Sequence, residues 1–410
     1  MRVLRSRATT PGRRRTAASS PFDVPSGDGF LGVRHESGTL FTTLTVGPGP
    51  ARPHRVDRPW PDLGPGAVLP LALVAQWMRH PDAAATELTV SCRGSGCVGD
   101  GPAAAAYRGL TGPLSIAADR GVQLRLRFAP LAHPELVARH GSGSAAPLRA
   151  CVSATRRLAV LLRSGGLAVT ALTAAELTAA APSTDPIAGD PPDAGHDDPG
   201  ALIGALTAQC AGTPRTATLL WRPGRPEPRL SLDPDGPALP AATVAALTAA
   251  ALPCGGSGPI VGADHAGHPI GLRLAGPGIA EATITGELDL ARRIVARLAA
   301  TGVSAAVFTD RPERWAGLID AVGDPALLHA ASSGTARVLV DDRPDRRLGP
   351  LDGHTVLRVA GPGTVVDAPP ESPALHQDPS DPRRAVAVGG GRSIPVRLVG
   401  TPAEDALLRA

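Results

Sequence analysis

The sequence predicts an α/β protein: two α/β lobes with mixed sheets flanked by helices, joined by an acidic, proline-rich linker. Three observations carry this. Residues 122–177 read strand, helix, strand, helix. Helix, strand and helix start return at 287–322, with the intervals Arg157–Gly166–Thr173 repeated at Arg293–Gly302–Thr309. Between the two, residues 182–200 hold five aspartates and five prolines but no arginine, a composition that does not build a core.

The elements follow in order. Residues 1–28 form a basic tail, with Arg2, Arg5, Arg7, Arg13, Arg14 and Arg15 ahead of the first acid, Asp23. Such an arm suits acidic lipid headgroups, and no aromatics are interleaved for stacking on nucleic acid. Leu31–Val46 reads as a hairpin turning at Ser37–Gly38. Gly27-x-Gly29-x-x-Gly32 spells a dinucleotide fingerprint but opens no helix, so it is set aside. A helix is expected over Leu69–His80 and a strand over Thr86–Cys92. In Val122–Phe128 apolar residues alternate with Gln123, Arg125 and Arg127, the period of a half-buried strand. The helix Leu148–Arg163 carries an apolar stripe (Leu148, Cys151, Val152, Leu158, Ala159, Leu162). Arg149, Arg156 and Arg163, seven apart, line up on its other side as a candidate lipid or partner contact. Gly165–Gly166 ends this helix. Leu167–Leu172 follows as a strand, and Thr173 with Glu176 makes a capping box.

Beyond the linker, helices are expected at Ala201–Ala211 and Ala241–Leu252, with strand Thr216–Trp221 between them. Strands Ile270–Leu274 and Ala282–Thr285 come next. Helix Glu287–Ala300 has Asp289 and Arg293 in the favourable order for an i,i+4 pair. Strand Val303–Phe308 then runs into a helix whose expected cap is Asp310, and strands Arg337–Val340 and Thr355–Val359 follow. The division is therefore a first lobe at 29–181, a second at 201–360, and a loose C-terminal segment at 361–410 with a hairpin around Gly389–Gly391.

Composition narrows the chemistry. All 41 basic residues are arginine, and lysine and asparagine are absent. That excludes a Walker A lysine, a Schiff-base lysine and an N-glycosylation acceptor. The odd, scattered cysteines (Cys92, Cys97, Cys151, Cys210, Cys254) read as buried core thiols of a reducing compartment. No run of 18 apolar residues occurs. His265-x-x-His268 beside Asp264 is the nearest approach to a metal cluster, and a glycine-rich turn is the better reading. Asp310 and the pair Asp341–Asp342 sit at strand ends, where open α/β sheets take ligands. They support the alternative of a nucleotide-sugar-binding, glycosyltransferase-like enzyme. No base, nucleophile and oxyanion donor converge, so no catalytic, cofactor or metal residue is assigned.

Several blocks, in order, resemble one family. They are Gly32-Val33-Arg34 with Gly38-Thr39-Leu40, Tyr107-Arg108-Gly109-Leu110-Thr111-Gly112-Pro113-Leu114, Leu124-Arg125-Leu126-Arg127, the run 148–177, Gly286-x-Leu288-x-Leu290-Ala291, and Thr309-Asp310-Arg311-Pro312-Glu313-Arg314-Trp315. Together they are similar to EccE of type VII (ESX) secretion systems. The resemblance implies a non-catalytic structural subunit with no cofactor, partnered by EccB, EccC, EccD and a mycosin-like protease. EccE-like chains usually open with two transmembrane helices. Here the arginines of the tail stand where the cytosolic flank of such a helix belongs. The expected location is thus the cytoplasmic face of the cell membrane, held peripherally or by a segment upstream of Met1.

Overall fold

The first sheet begins with β1 (Phe22–Ser26), β2 (Gly29–Glu36) and β3 (Thr39–Val46). Ser37 (φ 47°) and Gly38 (φ 80°) are both left-handed between β2 and β3, the turn whose twist matches that of the strands. The structure, a computed structural model, describes residues 20–27, 29–56, 67–80, 83, 86–114, 116, 118–179, 215–221, 229–232, 238–239, 251–331, 336–344, 347–364, 369 and 371–409; those between 215 and 239 are described by backbone alone. The expected tail arginines, the linker 182–200, helix 201–211 and Cys210 lie outside these residues.

β4 (His54–Arg55), β5 (Val68–Pro70) and α1 (Leu71–Met78) lead to β6 (Thr86–Ser95), α2 (Pro102–Thr111) and β7 (Asp119–Phe128). Then come α3 (Pro134–Arg139), α4 (Ala146–Ser164), β8 (Val169–Ala171), α5 (Ala174–Ala179), β9 (Arg215–Trp221), β10 (Arg229–Leu232) and β11 (Ala238–Leu239). The sheet order is β1-β2-β3-β7-β6-β9-β10-β11, and each pairing is antiparallel. Period two puts Val122, Leu124, Leu126 and Phe128 on the buried face of β7. α4 lies across that face with Leu158 and Leu162 inward. The buried Thr42 and Thr155 hydroxyls bond across the contact at 2.8 Å.

β2 pairs with β3 only over Arg34–Glu36; further on, β8 takes its place beside Leu44–Val46. The returning chain is wedged into that splay. Gly32 N–H donates to the Leu172 carbonyl at 2.7 Å. A Cβ on Gly32 would stand 2.5 Å from the Thr173 carbonyl carbon, so only glycine fits.

β12 (Ala251–Pro253) still belongs to the first lobe, with Leu252 buried in that core beside Val74 and Trp77; the second lobe holds β13 (Ile260–Ala263), β14 (Pro269–Gly271), β15 (Glu281–Thr285), α6 (Leu288–Ala300), β16 (Ala305–Thr309), α7 (Glu313–Val322), β17 (Leu328–Ala330), β18 (Val338–Asp342), β19 (Thr355–Ala360), β20 (Ala374–Gln377), β21 (Arg384–Gly389), β22 (Arg392–Arg397) and α8 (Pro402–Arg409). Its sheet runs β17-β16-β18-β19-β15-β20-β21-β22-β13-β14-β4. It is mixed: parallel from β17 to β20, antiparallel from β20 to β4.

The lobes are not consecutive stretches of chain. β4 closes the edge of the second sheet, β5 pairs with β12, and α2 packs on α6, α7 and α8. Tyr107 of α2 shares a core with Trp315 and Ile294. Its hydroxyl accepts from Ile260 N–H at 3.0 Å, and burial pushes its pKa up to about 12. A division at 182–200 therefore leaves residues 51–56 and 97–116, which lie before it, inside the second lobe's core. The chain passes between lobes at Cys254–Gly258, where a Cβ on Gly256 would come within 1.9 Å of the Ala118 carbonyl oxygen.

Three expectations are corrected. The described residues of 361–410 are not loose: they supply β20, the hairpin β21–β22 and α8. Small apolar residues (Ala374, Leu375, Ala385, Ala387, Val396) bury there among polar flanks, and α8 is anchored by Glu404. That carboxylate accepts from Arg297 Nε at 2.7 Å and Nη2 at 2.9 Å. Arg297, 1% exposed, also donates to the Ile260 and Val399 carbonyls. Secondly, Asp289 pairs with Arg292 at 3.1 Å, because Arg293 is drawn to Asp405 at 2.7 Å and Glu404 at 3.4 Å. Thirdly, Ala251–Leu252 belongs to β12 and not to a helix; the rest of that expected helix, residues 241–250, lies outside the described residues.

Candidate functional site

Two concavities stand out, one in each lobe. The first is a groove of about 730 Å³ between β1 and the outer face of α4. Val24, Leu148, Val152, Val160 and Leu161 supply its apolar lining, Pro25 sits on the β1 side, and Arg149, Arg156 and Arg157 project around it. Pro147 opens α4 within its first turn. At its other end Gly166 takes a left-handed φ of 82°, with Leu167 N–H returning to the Leu162 carbonyl at 3.2 Å. Side chains four apart (Leu148, Val152, Arg156, Val160) form one line along the groove. Val160 is 62% exposed. Among the described residues no aspartate or glutamate lines the groove.

The three arginines expected to form a ridge separate in role. Arg149 donates to the His140 carbonyl at 2.8 Å and the Ser142 carbonyl at 3.3 Å. These neutral partners hold its position and leave its charge uncancelled. Arg156 is exposed on the groove. Arg163 leaves it: Nη2 and Nε reach the Val169 carbonyl at 2.7 and 3.2 Å, bracing the turn into β8. Sequence reading missed Arg157 and Val160. It placed Leu148 and Val152 on the buried stripe, whereas both sit half-buried in the groove. The i,i+4 row was the signal that could have found them.

Thr173 makes the reciprocal bonds of a capping box. Glu176 N–H donates to Thr173 Oγ1 at 3.3 Å, and Thr173 N–H and Oγ1–H donate to Glu176 Oε2 at 2.7 and 2.8 Å. Asp23 Oδ1 accepts from Ala174 N–H at 2.7 Å, tying α5 to β1.

The second concavity, about 510 Å³, lies at the carboxyl ends of β16, β18 and β19 and is lined by Asp310, Asp341, Asp342, Arg311, Arg343, Arg347 and Arg358 among others. Its two buried carboxylates are both hydrogen-bonded. Asp342 accepts from Thr309 Oγ1 (2.9 Å), Arg311 Nε (3.0 Å) and Nη2 (2.5 Å), and Trp315 Nε1 (2.7 Å). The Asp342 hydrogen bonds push the Arg311 pKa up. Asp341 accepts from Arg343 Nε at 2.9 Å and Leu348 N–H at 2.7 Å. Arg358 is held by Glu281. Asp310 lines the crevice but makes no cap: α7 opens at Pro312 without a side-chain cap. The neighbouring Thr309 Oγ1 accepts the free N–H of Arg311 at 3.0 Å instead.

The remaining candidates are local. Asp264 Oδ1 accepts from the Ala266 and His268 N–H groups, both at 2.9 Å, within its own turn. Among the described residues no group of three His, Cys, Asp or Glu is placed to hold a metal ion. Cys92, Cys97, Cys151 and Cys254 are buried and unpaired by disulfide. Burial pushes the Cys151 and Cys254 thiols up to about 12, so neither offers a thiolate near neutral pH. Among the described residues no helix is long and apolar enough to cross a membrane.

Comparison with known proteins places one stretch. Residues 116–194 match a family described as "Putative type VII ESX secretion system translocon, EccE". No curated protein matches the chain. The described part of the matched stretch comprises β7, α3, α4, β8 and α5. The segment that builds the α4 wall of the first-lobe groove therefore lies in the stretch that matches the EccE family, and that match points to a subunit of type VII secretion.

Proposed function

We propose that this protein is a non-catalytic structural subunit of a type VII secretion complex, working on the cytoplasmic face of the cell membrane beside EccB-, EccC-, EccD- and mycosin-like components. The observation that carries the reading is the coincidence of the matched stretch with α4 and its outward-facing groove. The second-lobe crevice supports the same reading. Its buried aspartates are bound by arginine, threonine and tryptophan donors, so each would have to give up a charge-assisted bond before serving as ligand or base.

The test is complementation. In a strain lacking the chromosomal copy, the wild-type protein is expected to restore secretion and to co-purify with the other secretion components. Asp341→Asn and Asp342→Asn should restore secretion in proportion to the folded protein that accumulates. A protein that restores secretion without ever co-purifying would overturn the scaffold reading. So would an Asp342→Asn variant that is abundant, folded and present in the complex yet secretes nothing.

A further inference from the structure

We infer that the crevice at the carboxyl ends of β16, β18 and β19 is a binding site for a small phosphorylated polyol, a sugar phosphate or a nucleotide. The site goes beyond the scaffold reading above and asks for no turnover.

Topology comes first. In the second sheet β16 and β18 are parallel neighbours. The chain leaves β16 through α7 for β17 on one side, and leaves β18 for β19 on the other. Connections that part in opposite directions open a crevice beyond the strand ends, and open parallel α/β sheets take their ligands there. The cavity at this point, about 510 Å³, falls in the range that holds a small organic molecule.

Donors come second. Arg343 and Arg347 follow β18, Thr364 follows β19, and all three line the cavity. Arg343 is fixed through Nε to Asp341 at 2.9 Å, and its Cζ lies over the Phe308 ring, 5.4 Å from the centroid. Its two terminal nitrogens make no hydrogen bond among the described residues. Arg347 is exposed, and no carboxylate among the described residues pairs with it. The other lining arginines are taken, Arg311 by Asp342 and Arg358 by Glu281. A guanidinium donates and never accepts. Two of them, with a hydroxyl from a further loop, suit the oxygens of a phosphate.

The third argument sets what carries the phosphate. Asp310 follows β16, lines the same cavity and is exposed. It caps no helix and meets no donor among the described residues, so its carboxylate is open to ligand hydroxyls. An acceptor from the β16 loop and donors from the β18 and β19 loops match the hydroxyls and the phosphate of one molecule. A metal cation is disfavoured as the occupant. Asp341 and Asp342 already accept from Arg343 and Arg311, and each would have to release a charge-assisted bond.

The experiment is isothermal titration calorimetry of the full chain with ADP, glucose 1-phosphate, adenosine, glucose and inorganic phosphate. At least one of ADP and glucose 1-phosphate should bind saturably, more weakly as salt rises, and the tighter of the two says whether the site prefers a nucleotide or a sugar phosphate. Adenosine, glucose and inorganic phosphate should each bind at least tenfold more weakly. Arg347→Gln should weaken the phosphorylated ligand at least tenfold, with unchanged melting temperature. Asp310→Ala should weaken it at least threefold while leaving inorganic phosphate no weaker. No binding of either phosphorylated ligand, binding indifferent to both substitutions, or equal binding with and without the phosphate overturns the inference. Inorganic phosphate bound as tightly as the organic phosphates means an adventitious ion only, and overturns it too. The scaffold reading fails separately. Lost co-purification of the wild-type protein with the secretion components removes that reading and leaves the site standing. Breakdown of the bound ligand during titration would support the site and overturn the non-catalytic part of that reading.

Discussion

The two concavities use the same cation to opposite ends. In the second-lobe crevice, Arg311, Arg343 and Arg358 each hold a carboxylate. In the first-lobe groove, Arg149 is held by carbonyls and Arg156 stands exposed on the surface. In a chain whose only strong cation is arginine, the residue type says nothing about role. The supply of acids around it decides. Where carboxylates converge, arginine builds the fold; where none do, its charge is directed outward.

That contrast can be broken by substitution, the buried network first. Glu404→Ala strands Arg297, which is 1% exposed, without its carboxylate. Loss of one partner from such a pair costs about 3–5 kcal/mol, so urea unfolding should shift to much lower midpoint. A shift of a few tenths of a molar would mean that the Ile260 and Val399 carbonyls suffice to hold Arg297. Asp342→Ala comes next: it removes the acceptor for Arg311 and for the buried Trp315 indole, about 1.5–3 kcal/mol for bonds to a charged group. The indole fluorescence reports whether Trp315 stays packed. Smallest are Arg156→Glu and Asp310→Ala, each expected within roughly 0.5 kcal/mol of wild type as surface changes. Should thermal melting place Arg156→Glu as low as Asp342→Ala, the groove arginine is structural and the contrast dissolves.

Much of the first lobe was legible in the sequence, because its signals are short-range. Alternation in Val122–Phe128, the helical stripe before Gly165–Gly166, and Thr173 with Glu176 three residues on each specify a local geometry. The site was half legible. Seven-residue spacing does align Arg149, Arg156 and Arg163 on one side of α4, but the chain's return into β8 brings the Val169 carbonyl to Arg163, which spacing along one helix does not encode. Asp310 fits a cap-and-glutamate pattern by letter. Thr309 already binds the Arg311 N–H, and Pro312 fixes where α7 starts. At the C-terminus a hairpin around Gly389–Gly391 was expected, but β20 and the core beneath these strands were hidden by composition: Ala374, Ala385 and Ala387 carry little hydrophobic signal, yet they are buried. The crossing of β4 and α2 into the second lobe is a pairing across more than a hundred and fifty residues, as in the Tyr107–Ile260 bond, and no local pattern announces it.

That crossing changes what a cut chain would be. Residues 182–200, acidic and proline-rich, are the natural place for a protease to enter. Yet neither product would be a free-standing lobe. The N-terminal fragment would keep β4 at the far edge of the second sheet and α2 in its helical layer, and the C-terminal fragment would keep β9 inside the first sheet. The two polypeptides should travel as one particle through gel filtration and part only in denaturant. Expressed as separate genes, they would be expected to find each other by fragment complementation, each supplying the missing strands of its counterpart.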